Sequence, residues 1–299
     1  MNSPLLFPVR LEKERILVLD ETLPPFEEEY IEVGDLDKAL WVLREMKTRS
    51  LGQVLLFFYS CVLFSGEFSI ETIAQKFKDN RPTFDFFMLA HILKSQIEKG
   101  LGAKEAAEKF IFGFDMLRKK RAKELAQILP NPADILTICN VNGELIYLYE
   151  ELKKLGKETC FYICETRPYL QGTRLTFWEL RKNNVPCKVI CDNQAAVLMQ
   201  EKKVNCIVTG ADRATKKGDI VNKTGTYSLA RLAKHFNIPF YPLTQYPRDI
   251  EVDTIEIEQR PAGETFMHLK GDYTGIETFY PAFDITRAEF VTKPIELNP

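Results

Sequence analysis

The pattern of apolar and polar positions divides the first part of the 299-residue chain into two kinds of structure. Within residues 1–34, apolar and polar positions alternate in "ILVLDETL" and "YIEV", which predicts short antiparallel strands on either side of a Pro-Pro turn. From residue 36 to residue 129 the apolar positions recur at helical spacing, and "DLDKALWVLREMK" and "SIETIAQKF" open with helix-capping residues. The pattern therefore predicts a mostly helical N-terminal domain with a small antiparallel sheet.

The segment "LPNPAD", residues 129–134, interrupts the helical pattern with two prolines. After it, five short apolar runs alternate with helical segments: "DILTIC", "TCFYIC", "CKVIC", "NCIVTG" and "PFYPLT". Continuous apolar runs are typical of parallel strands buried on both faces, and the alternation with helices calls for right-handed crossovers. The fold class is therefore predicted as α/β, with residues 1–130 forming the N-terminal domain and residues 131–299 a Rossmann-like parallel-sheet C-terminal domain.

Polar residues follow each of the five predicted strands. They are Cys139 and Asn140, then Glu165 to Arg167, then Asp192 and Asn193, then Gly210 to Arg213, and finally Thr244 and Gln245. In an open parallel sheet the ligand crevice lies beyond the carboxyl ends of the strands. These residues therefore predict a site there. No G-x-G-x-x-G follows the first strand, which disfavours a dinucleotide cofactor.

Composition and charge narrow the class of protein. The chain is 45% apolar and 27% charged, with a formal net charge of −2. That balance argues against a general nucleic-acid or membrane-surface binder. The N-terminal residues lack the basic and apolar regions of a signal peptide, and the apolar run at residues 51–64 is too short to span a bilayer. We expect a cytoplasmic protein without nucleic-acid or membrane partners.

The seven cysteines have mostly apolar neighbours, which is typical of reduced, buried thiols in a cytoplasmic protein. Two C-x3-C pairs, Cys160 with Cys164 and Cys187 with Cys191, lie inside strand-like runs without a nearby histidine. Zinc sites favour a tighter spacing in a turn, so no metal site is expected. The three histidines have no partner at metal-ligand spacing and are interpreted as structural.

Cys139 and Asp212 are the candidate catalytic residues. Cys139 ends the first strand and precedes a helix, where the helix dipole would favour a thiolate, although an inert core cysteine is an equal alternative. Asp212 follows the fourth strand and could instead be a helix cap or a partner of Arg213. Together they form a plausible acid/base pair, provided that the first and fourth strands lie close to each other.

The segment "ETRPYLQGTRL" supplies candidate binding residues after the second strand. Arg167 and Arg174 suit bidentate contact with a phosphate, and Gln171 can form a hydrogen bond with a sugar hydroxyl. The alternative is a turn set by Pro168 and Gly172. With no P-loop and no base-stacking platform, these groups favour a small phosphorylated sugar over a nucleotide.

The segment "TGADRATKKGDIVNKTG", residues 209–225, contributes a second set of candidate binding residues. Asn222 and Lys223 are interpreted as heading a helix that starts near Gly225, where backbone N–H groups and a lysine would favour an anion. Lys216 and Lys217 are interpreted as part of a solvated turn.

Several motifs resemble those of methylthioribose-1-phosphate isomerases, enzymes of methionine salvage. They are the run that begins "ETRPYLQGTRLTFWELRKNN", "GADR" with "GD-x-x-NK-x-GTY", "PAFDITRAEFVT", and the opening "LDETLPPFEEEYIEVGDLDKALWVLREMKTRS". The resemblance covers nearly the whole chain. The wider family also contains ribose-1,5-bisphosphate isomerases and the regulatory subunits of the translation initiation exchange factor 2B.

The resemblance implies a homodimer that isomerises an aldose to a ketose without a cofactor or a metal. The catalytic cysteine and aspartate of the family fall on Cys139 and Asp212. Its substrate-binding positions fall on Arg49, Ser50, Leu51, Arg81, Gln171, Asn222 and Lys223. Arg49, Ser50, Leu51 and Arg81 are candidates through the resemblance alone.

Two segments depart from the pattern of the methylthioribose enzymes. Small residues follow the early arginine in those enzymes, as "RGAPAIG", whereas this chain has "RSLGQVL". The segment after Cys139, "CNVNGEL", is shorter and has fewer glycines. These departures leave two alternatives, a ribose-1,5-bisphosphate isomerase and a non-catalytic regulatory protein that binds a sugar phosphate or nucleotide. The retained candidate residues favour the methylthioribose isomerase.

Overall fold

The structure is a computed structural model that describes residues 3–82, 84–245, 247 and 249–297. The chain divides between Met116 and Leu117 into two compact units. This division falls within the long helix α5 (Ala103–Ile128). The domain boundary predicted between residues 130 and 131 lies just beyond the end of the same helix and stays a prediction.

The first unit opens with a three-stranded antiparallel sheet of β1 (Val9–Glu12), β2 (Arg15–Leu19) and β3 (Tyr30–Val33), in that order. The two predicted strands correspond to β2 and β3, and β1 pairs with β2 as an additional strand. Val9, Ile16, Val18 and Val33 are buried and lie in the core of this unit. The alternating pattern therefore predicted the sheet correctly.

Helices α1 (Leu36–Arg44), α2 (Leu51–Phe64), α3 (Ile70–Asn80) and α4 (Phe86–Ile97) follow in the first unit. Three of them have side-chain caps at their N-termini. Asp35 accepts from the Lys38 amide, Ser69 from the Thr72 amide and Asp85 from the Met88 amide. The core of the helical layer contains Phe57, whose ring centroid lies 5.4 Å from those of both Phe77 and Phe86. The predicted helical N-terminal region is confirmed.

A six-stranded parallel sheet forms the centre of the second unit. Its strands are β4 (Ala133–Thr137), β5 (Thr159–Cys164), β6 (Cys187–Ile190), β7 (Cys206–Gly210), β10 (Phe240–Thr244) and β12 (Ile295–Glu296). Their order is β12-β10-β7-β4-β5-β6. The Rossmann-like prediction is confirmed, and β12 adds a sixth strand to the five predicted ones.

The helices of this unit are α6 (Glu144–Lys154), α7 (Phe177–Lys182), α8 (Ala195–Gln200), α9 (Thr226–Phe236) and α10 (Ala262–Phe266). A π-helical turn, Gly172–Thr176, leads into α7. Between β7 and α9 the chain forms a hairpin that the sequence analysis interpreted only as a turn.

That hairpin belongs to a second antiparallel sheet of β8 (Arg213–Ala214), β9 (Ile220–Lys223) and β11 (Phe283–Thr286), in the order β11-β9-β8. Asn222 and Lys223 therefore end a strand, and the interpretation that they head a helix is wrong. The physical reason lies at Gly225, whose φ of 109° breaks the extended chain before α9 begins.

Three buried charged residues join the C-terminal part of α5 to the parallel sheet. Nε and one terminal nitrogen of Arg121 each donate to a carboxylate oxygen of Glu144 at 2.6 Å, and Arg121 also donates to the carbonyl of Thr244. Arg118 donates to the carbonyl of Asn142. The loop that follows β4 is thus attached to α5 by fully buried ionic groups.

Candidate functional site

The predicted acid/base pair follows two neighbouring strands of the parallel sheet. Strands β4 and β7 pair directly, with Leu136 opposite Ile207. Beyond their ends, Cγ1 of Val141 lies 3.1 Å from the position that a Cβ atom on Gly210 would occupy. The condition set for Cys139 and Asp212, that the first and fourth strands lie side by side, is therefore met.

Cys139 is held in an unusual backbone conformation. Its φ is 66°, in the left-handed region that non-glycine residues rarely adopt. The Cys139 amide donates to Oγ1 of Thr166 at 2.9 Å, and its carbonyl accepts from Oγ1 of Thr176 at 2.6 Å. The thiol belongs to a partly exposed residue. Hydrogen bonds on both sides of Cys139 thus fix its orientation, as is common at functional sites.

Asn140 cross-links the short loop after Cys139. Its side-chain nitrogen donates to Thr176 at 3.0 Å and to the fully buried carboxylate of Glu179 at 2.9 Å. Its side-chain oxygen accepts from the Asn142 amide at 2.8 Å. This loop is therefore ordered by side-chain hydrogen bonds. The sequence analysis missed Thr176 and Glu179, because they lie on the π-helical turn and α7, far along the chain.

Asp212 lies between β7 and β8 and is exposed. Its amide donates to the carbonyl of Val221 at 2.9 Å, which fixes the backbone in the small sheet. The carboxylate is thus placed by the hairpin on an accessible surface beyond the end of β7, where a ligand can reach it.

Asn222 and Lys223 lie on β9, next to the end of β7. The side-chain nitrogen of Asn222 donates to Oγ1 of Thr226 at 2.9 Å, and its oxygen lies 3.7 Å from the Cβ position of Gly210. Asn222 is buried, whereas Lys223 is partly exposed and its Nζ lies 5.2 Å from the centroid of the Phe283 ring. The structure therefore brings Asn222 close to the strand end that precedes Asp212.

The start of α9 is occupied by a carboxylate of the chain itself. Asp284 accepts from the amide of Gly225 at 2.7 Å and from the amide of Tyr227 at 3.1 Å. Two of the helix-start amides that the sequence analysis expected to favour an anion thus donate to a carboxylate of the chain itself. Burial raises the pKa of Asp284 to about 6, although its hydrogen bonds with the two amides oppose the shift.

Gln171 and Arg167 lie on the loop after β5, which forms a turn that leads into the π-helical turn. The amide of Arg167 donates to the carboxylate of Asp192 at 2.8 Å, and its side chain is exposed and donates to the carbonyl of Thr265. Gln171 is buried at the start of the π-helical turn. A Cβ atom on Gly172 would lie 1.8 Å from the carbonyl oxygen of Cys164, so the close packing of this loop requires glycine.

The remaining candidates belong to the first unit. Arg49, Ser50 and Leu51 form the corner before and at the start of α2, and Ser50 has a φ of 39°. Arg81 follows α3 and is buried.

Glu21 lies next to the backbone of Arg49, and the sequence pattern did not indicate it as a candidate. Its Oε1 accepts from Oγ1 of Thr48 at 2.6 Å and from the amide of Arg49 at 3.2 Å, while Oε2 is buried and has no hydrogen-bond partner among the residues that the structure describes. The side chain belongs to a residue only 2% exposed. Burial raises the pKa of this carboxyl to about 7. The adjacent acids "DE" at 20–21, directly after a strand, were the signal that could have identified it.

The described part of the chain contains no group of three or more His, Cys, Asp or Glu side chains that could hold a metal ion. All seven cysteines are free thiols, and burial raises the pKa of Cys61, Cys164 and Cys206. Among the described helices, none combines the length and apolar character that a membrane span needs.

Comparison with known proteins gives relatives over most of the chain. Methylthioribose-1-phosphate isomerase from Caldicellulosiruptor saccharolyticus is 32% identical, with 94% of this chain and 92% of that protein covered. The protein of the same name from Heliobacterium modesticaldum is also 32% identical, with 95% of this chain and 92% of that protein covered.

Two solved structures share the fold. The crystal structure of 5-methylthioribose 1-phosphate isomerase from Pyrococcus horikoshii OT3 is 24% identical, with a TM-score of 0.81 over 99% of this chain and 93% of that one. The crystal structure of the translation initiation factor eIF-2B, subunit delta, from A. fulgidus is 25% identical. Its TM-score is 0.79, with 97% of this chain and 94% of that chain covered.

The parallel sheet, with its polar groups at the strand ends, defines an α/β protein of the Rossmann-like class. The model of the Initiation factor 2 subunit family matches residues 74–296. The chain belongs to this family, and the relatives confirm the resemblance inferred from its motifs.

Proposed function

We propose that the chain is an aldose-ketose isomerase that converts 5-methylthioribose 1-phosphate to 5-methylthioribulose 1-phosphate. The observation that carries the proposal is the pairing of β4 with β7, since Cys139 and Asp212 follow these two strands. Relatives that match nearly the whole chain are methylthioribose-1-phosphate isomerases, which supports the same substrate.

The chemistry requires an acid at the sugar ring. Because phosphate blocks the anomeric oxygen, the ring cannot open to a free aldehyde. As the bond between C1 and the ring oxygen breaks, that oxygen must receive a proton. Asp212 is the proposed donor. Its carboxyl is exposed, so a bound sugar can contact it directly.

The second part of the reaction moves hydrogen from C2 to C1, while the C2 hydroxyl loses its proton and becomes the ketone. Substrate and product thus contain the same atoms, and the proposed reaction needs no external oxidant or cofactor. Cys139 is the proposed participant in the transfer. Its left-handed backbone is fixed by Thr166 and Thr176, so the thiol has a defined direction.

The binding positions are those that the family resemblance implies, and the charge and hydrogen-bonding capacity of each residue suggest which part of the substrate it contacts. Arg49, Arg81 and Lys223 are proposed to bind the phosphate, and the backbone at Ser50 and Leu51 to approach it. Gln171 and Asn222 are suited to sugar hydroxyls. In the proposed assembly the protein is a homodimer.

Substitution of the two catalytic candidates tests the proposal. Wild-type protein incubated with methylthioribose 1-phosphate should form the ketose. Asp212→Asn and Cys139→Ser should each lower kcat by about 100-fold or more, since a general acid or base contributes at least that much. Calorimetry should show that the substrate still binds. An exposed acid elsewhere, changed in Asp253→Asn, is the control and should leave kcat unchanged. Near wild-type turnover in Asp212→Asn would contradict its role.

The structural similarity to the eIF-2B delta subunit favours a second candidate, a regulatory protein that binds a sugar phosphate or nucleotide without turning it over. Leu51 supports it, because a bulky residue occupies a position where the methylthioribose enzymes have a small one. Binding of methylthioribose 1-phosphate without ketose formation would select this candidate. Ribose 1,5-bisphosphate, assayed in parallel, tests the remaining alternative.

A further inference from the structure

The motif "PAFD", residues 281–284, has no role in the proposed chemistry, yet each of its residues contacts the segment "NKTG", residues 222–225. The carbonyl of Pro281 accepts from the hydroxyl of Thr224, and the carbonyl of Ala282 accepts from the amide of Thr224. Phe283 and Asp284 pair with Lys223 and Asn222 across the two strands. Residues 281–284 therefore hold residues 222–225 in place, and these include the proposed binding residues Asn222 and Lys223.

Asp284 makes the contacts that determine how this segment turns into α9. Its carboxylate accepts from the amides of Gly225 and Tyr227, on both sides of the first residue of the helix. Gly225 has a φ of 109°, and a Cβ atom there would lie 2.8 Å from Cδ1 of Ile138, the residue before Cys139. The segment thus has little space in which to shift.

A chain of hydrogen bonds connects the capped helix start to the side chain of Asn222. The Thr226 hydroxyl donates to the carbonyl of Lys223 at 2.7 Å and accepts from the side-chain nitrogen of Asn222 at 2.9 Å. Since Thr226 is the first residue of α9, any change in the helix start moves the partner of Asn222. The contacts made by Asp284 therefore reach both proposed binding residues.

We propose that Asp284 is a positioning residue, which holds Asn222 and Lys223 in their binding geometry by accepting hydrogen bonds from the first amides of α9. The inference rests on the proposed function, because it assigns Asn222 and Lys223 to the substrate. Asp284 acts as an acceptor, so an uncharged side chain of the same shape can replace it.

Three variants test the proposal. Asp284→Ala removes the acceptor and should raise the KM for methylthioribose 1-phosphate about tenfold, with kcat changed less than about threefold, as expected for lost hydrogen bonds. Asp284→Asn keeps an acceptor oxygen and should restore the wild-type KM. Amide hydrogen exchange at Gly225 and Tyr227 should be faster in Asp284→Ala and remain slow in Asp284→Asn.

Asp219→Ala is the matched control, because Asp219 precedes β9 at its opposite end and accepts from the Ala288 amide at 2.9 Å. This variant should lose stability without a change in KM. An unchanged KM in Asp284→Ala, a KM in Asp284→Asn as high as in Asp284→Ala, or an equal rise in Asp219→Ala would overturn the proposal.

The exchange measurement separates this inference from the proposed function. If wild-type protein forms no ketose, the proposed function fails, and the affinity of each variant for the same compound, measured by calorimetry, replaces KM. Unaltered exchange in Asp284→Ala would overturn the positioning role even in an active enzyme.

Discussion

At the scale of single residues, Glu21 makes the stability of the protein depend on pH. Its folded-state pKa, raised by burial to about 7, lies above that of an unfolded chain. The native state therefore binds the proton more tightly, so stability is greatest at low pH and falls as pH rises through about 7. The loss amounts to roughly 3 kcal/mol, at 1.36 kcal/mol for each pKa unit.

We expect Glu21→Gln to remove this dependence. Between pH 4.5 and about 7, the wild-type free energy of unfolding in urea should fall relative to that of the variant, and above that range the difference should stay constant. Glu27→Gln changes an exposed carboxylate and is the control. The pH dependence of its free energy of unfolding should match that of the wild type. Parallel pH profiles for wild type and Glu21→Gln would show that Glu21 does not titrate in this range.

Two helical glycines give opposite predictions for the same substitution. A Cβ atom on Gly52 would lie 1.8 Å from Oγ1 of Thr48 and 3.2 Å from Oε1 of Glu21, whereas a Cβ atom on Gly113 would meet no atom of the described part of the chain within 4 Å. Gly52→Ala should therefore destabilise the protein by about 2 kcal/mol and disturb the Arg49 corner. Gly113→Ala should stabilise it by about 0.5–1 kcal/mol, because alanine restricts the unfolded chain. Thermal unfolding of both variants measures the difference, and a stable Gly52→Ala would contradict it.

At the scale of elements, a single lysine caps the C-terminal end of α5. Nζ of Lys157 donates to the carbonyls of Ala126 and Gln127, at 2.8 and 3.3 Å, and to that of Leu129. A positive charge at this end also interacts favourably with the helix dipole. These contacts anchor the end of α5 to the turn that precedes β5.

Lys157→Met should therefore lower the free energy of unfolding by about 1–2 kcal/mol, since charge-assisted hydrogen bonds to three carbonyls are lost. Lys154→Met, which removes only an exposed pair with Glu151, should cost less than about 0.5 kcal/mol. Urea unfolding compares the two variants. Equal losses would show that Lys157 acts only as a surface charge.

Elements with a strong periodic pattern could be predicted from the sequence, and those defined by distant partners could not. The five apolar strands and the capped helices of the first unit were predicted. Strands buried on both faces have continuous apolar runs, and helices buried on one face have apolar residues at helical spacing. Strands β8, β9 and β12 have only two to four residues, too few for a period to be recognised. Asp284 pairs with residues about 60 positions earlier, so no local pattern could reveal its role.

At the scale of the whole molecule, the buried group of Arg118, Arg121 and Glu144 connects parts of the chain that are far apart. Glu144 accepts two hydrogen bonds from Arg121, which also reaches the carbonyl at the end of β10. Removal of one partner leaves the others charged and buried without compensation. The group therefore contributes to the stability of the entire second unit.

Glu144→Gln is expected to destabilise the protein by about 3–5 kcal/mol. Glu289→Gln, which breaks an exposed pair with Lys234, should cost less than about 1 kcal/mol. Guanidinium unfolding of the two variants gives the comparison. A small effect of Glu144→Gln would mean that water or another side chain satisfies the two arginines.

The candidate site itself was only partly accessible to sequence reasoning. Cys139, Gln171, Asp212, Asn222 and Lys223 were found because strand ends of a parallel sheet are where ligands bind. Arg49 and Arg81 lie on helix ends in the first unit, where an arginine has many ordinary uses, so only the resemblance to a family identified them.

The strand order of the large sheet has a consequence for protein synthesis. β4 is the first of its strands to be made, and β5, β6, β7, β10 and β12 each pair with a strand that precedes them in the chain. As the chain emerges from the ribosome, each described strand after β4 can therefore pair with a strand that has already been made. This order limits the time during which a newly made chain could aggregate.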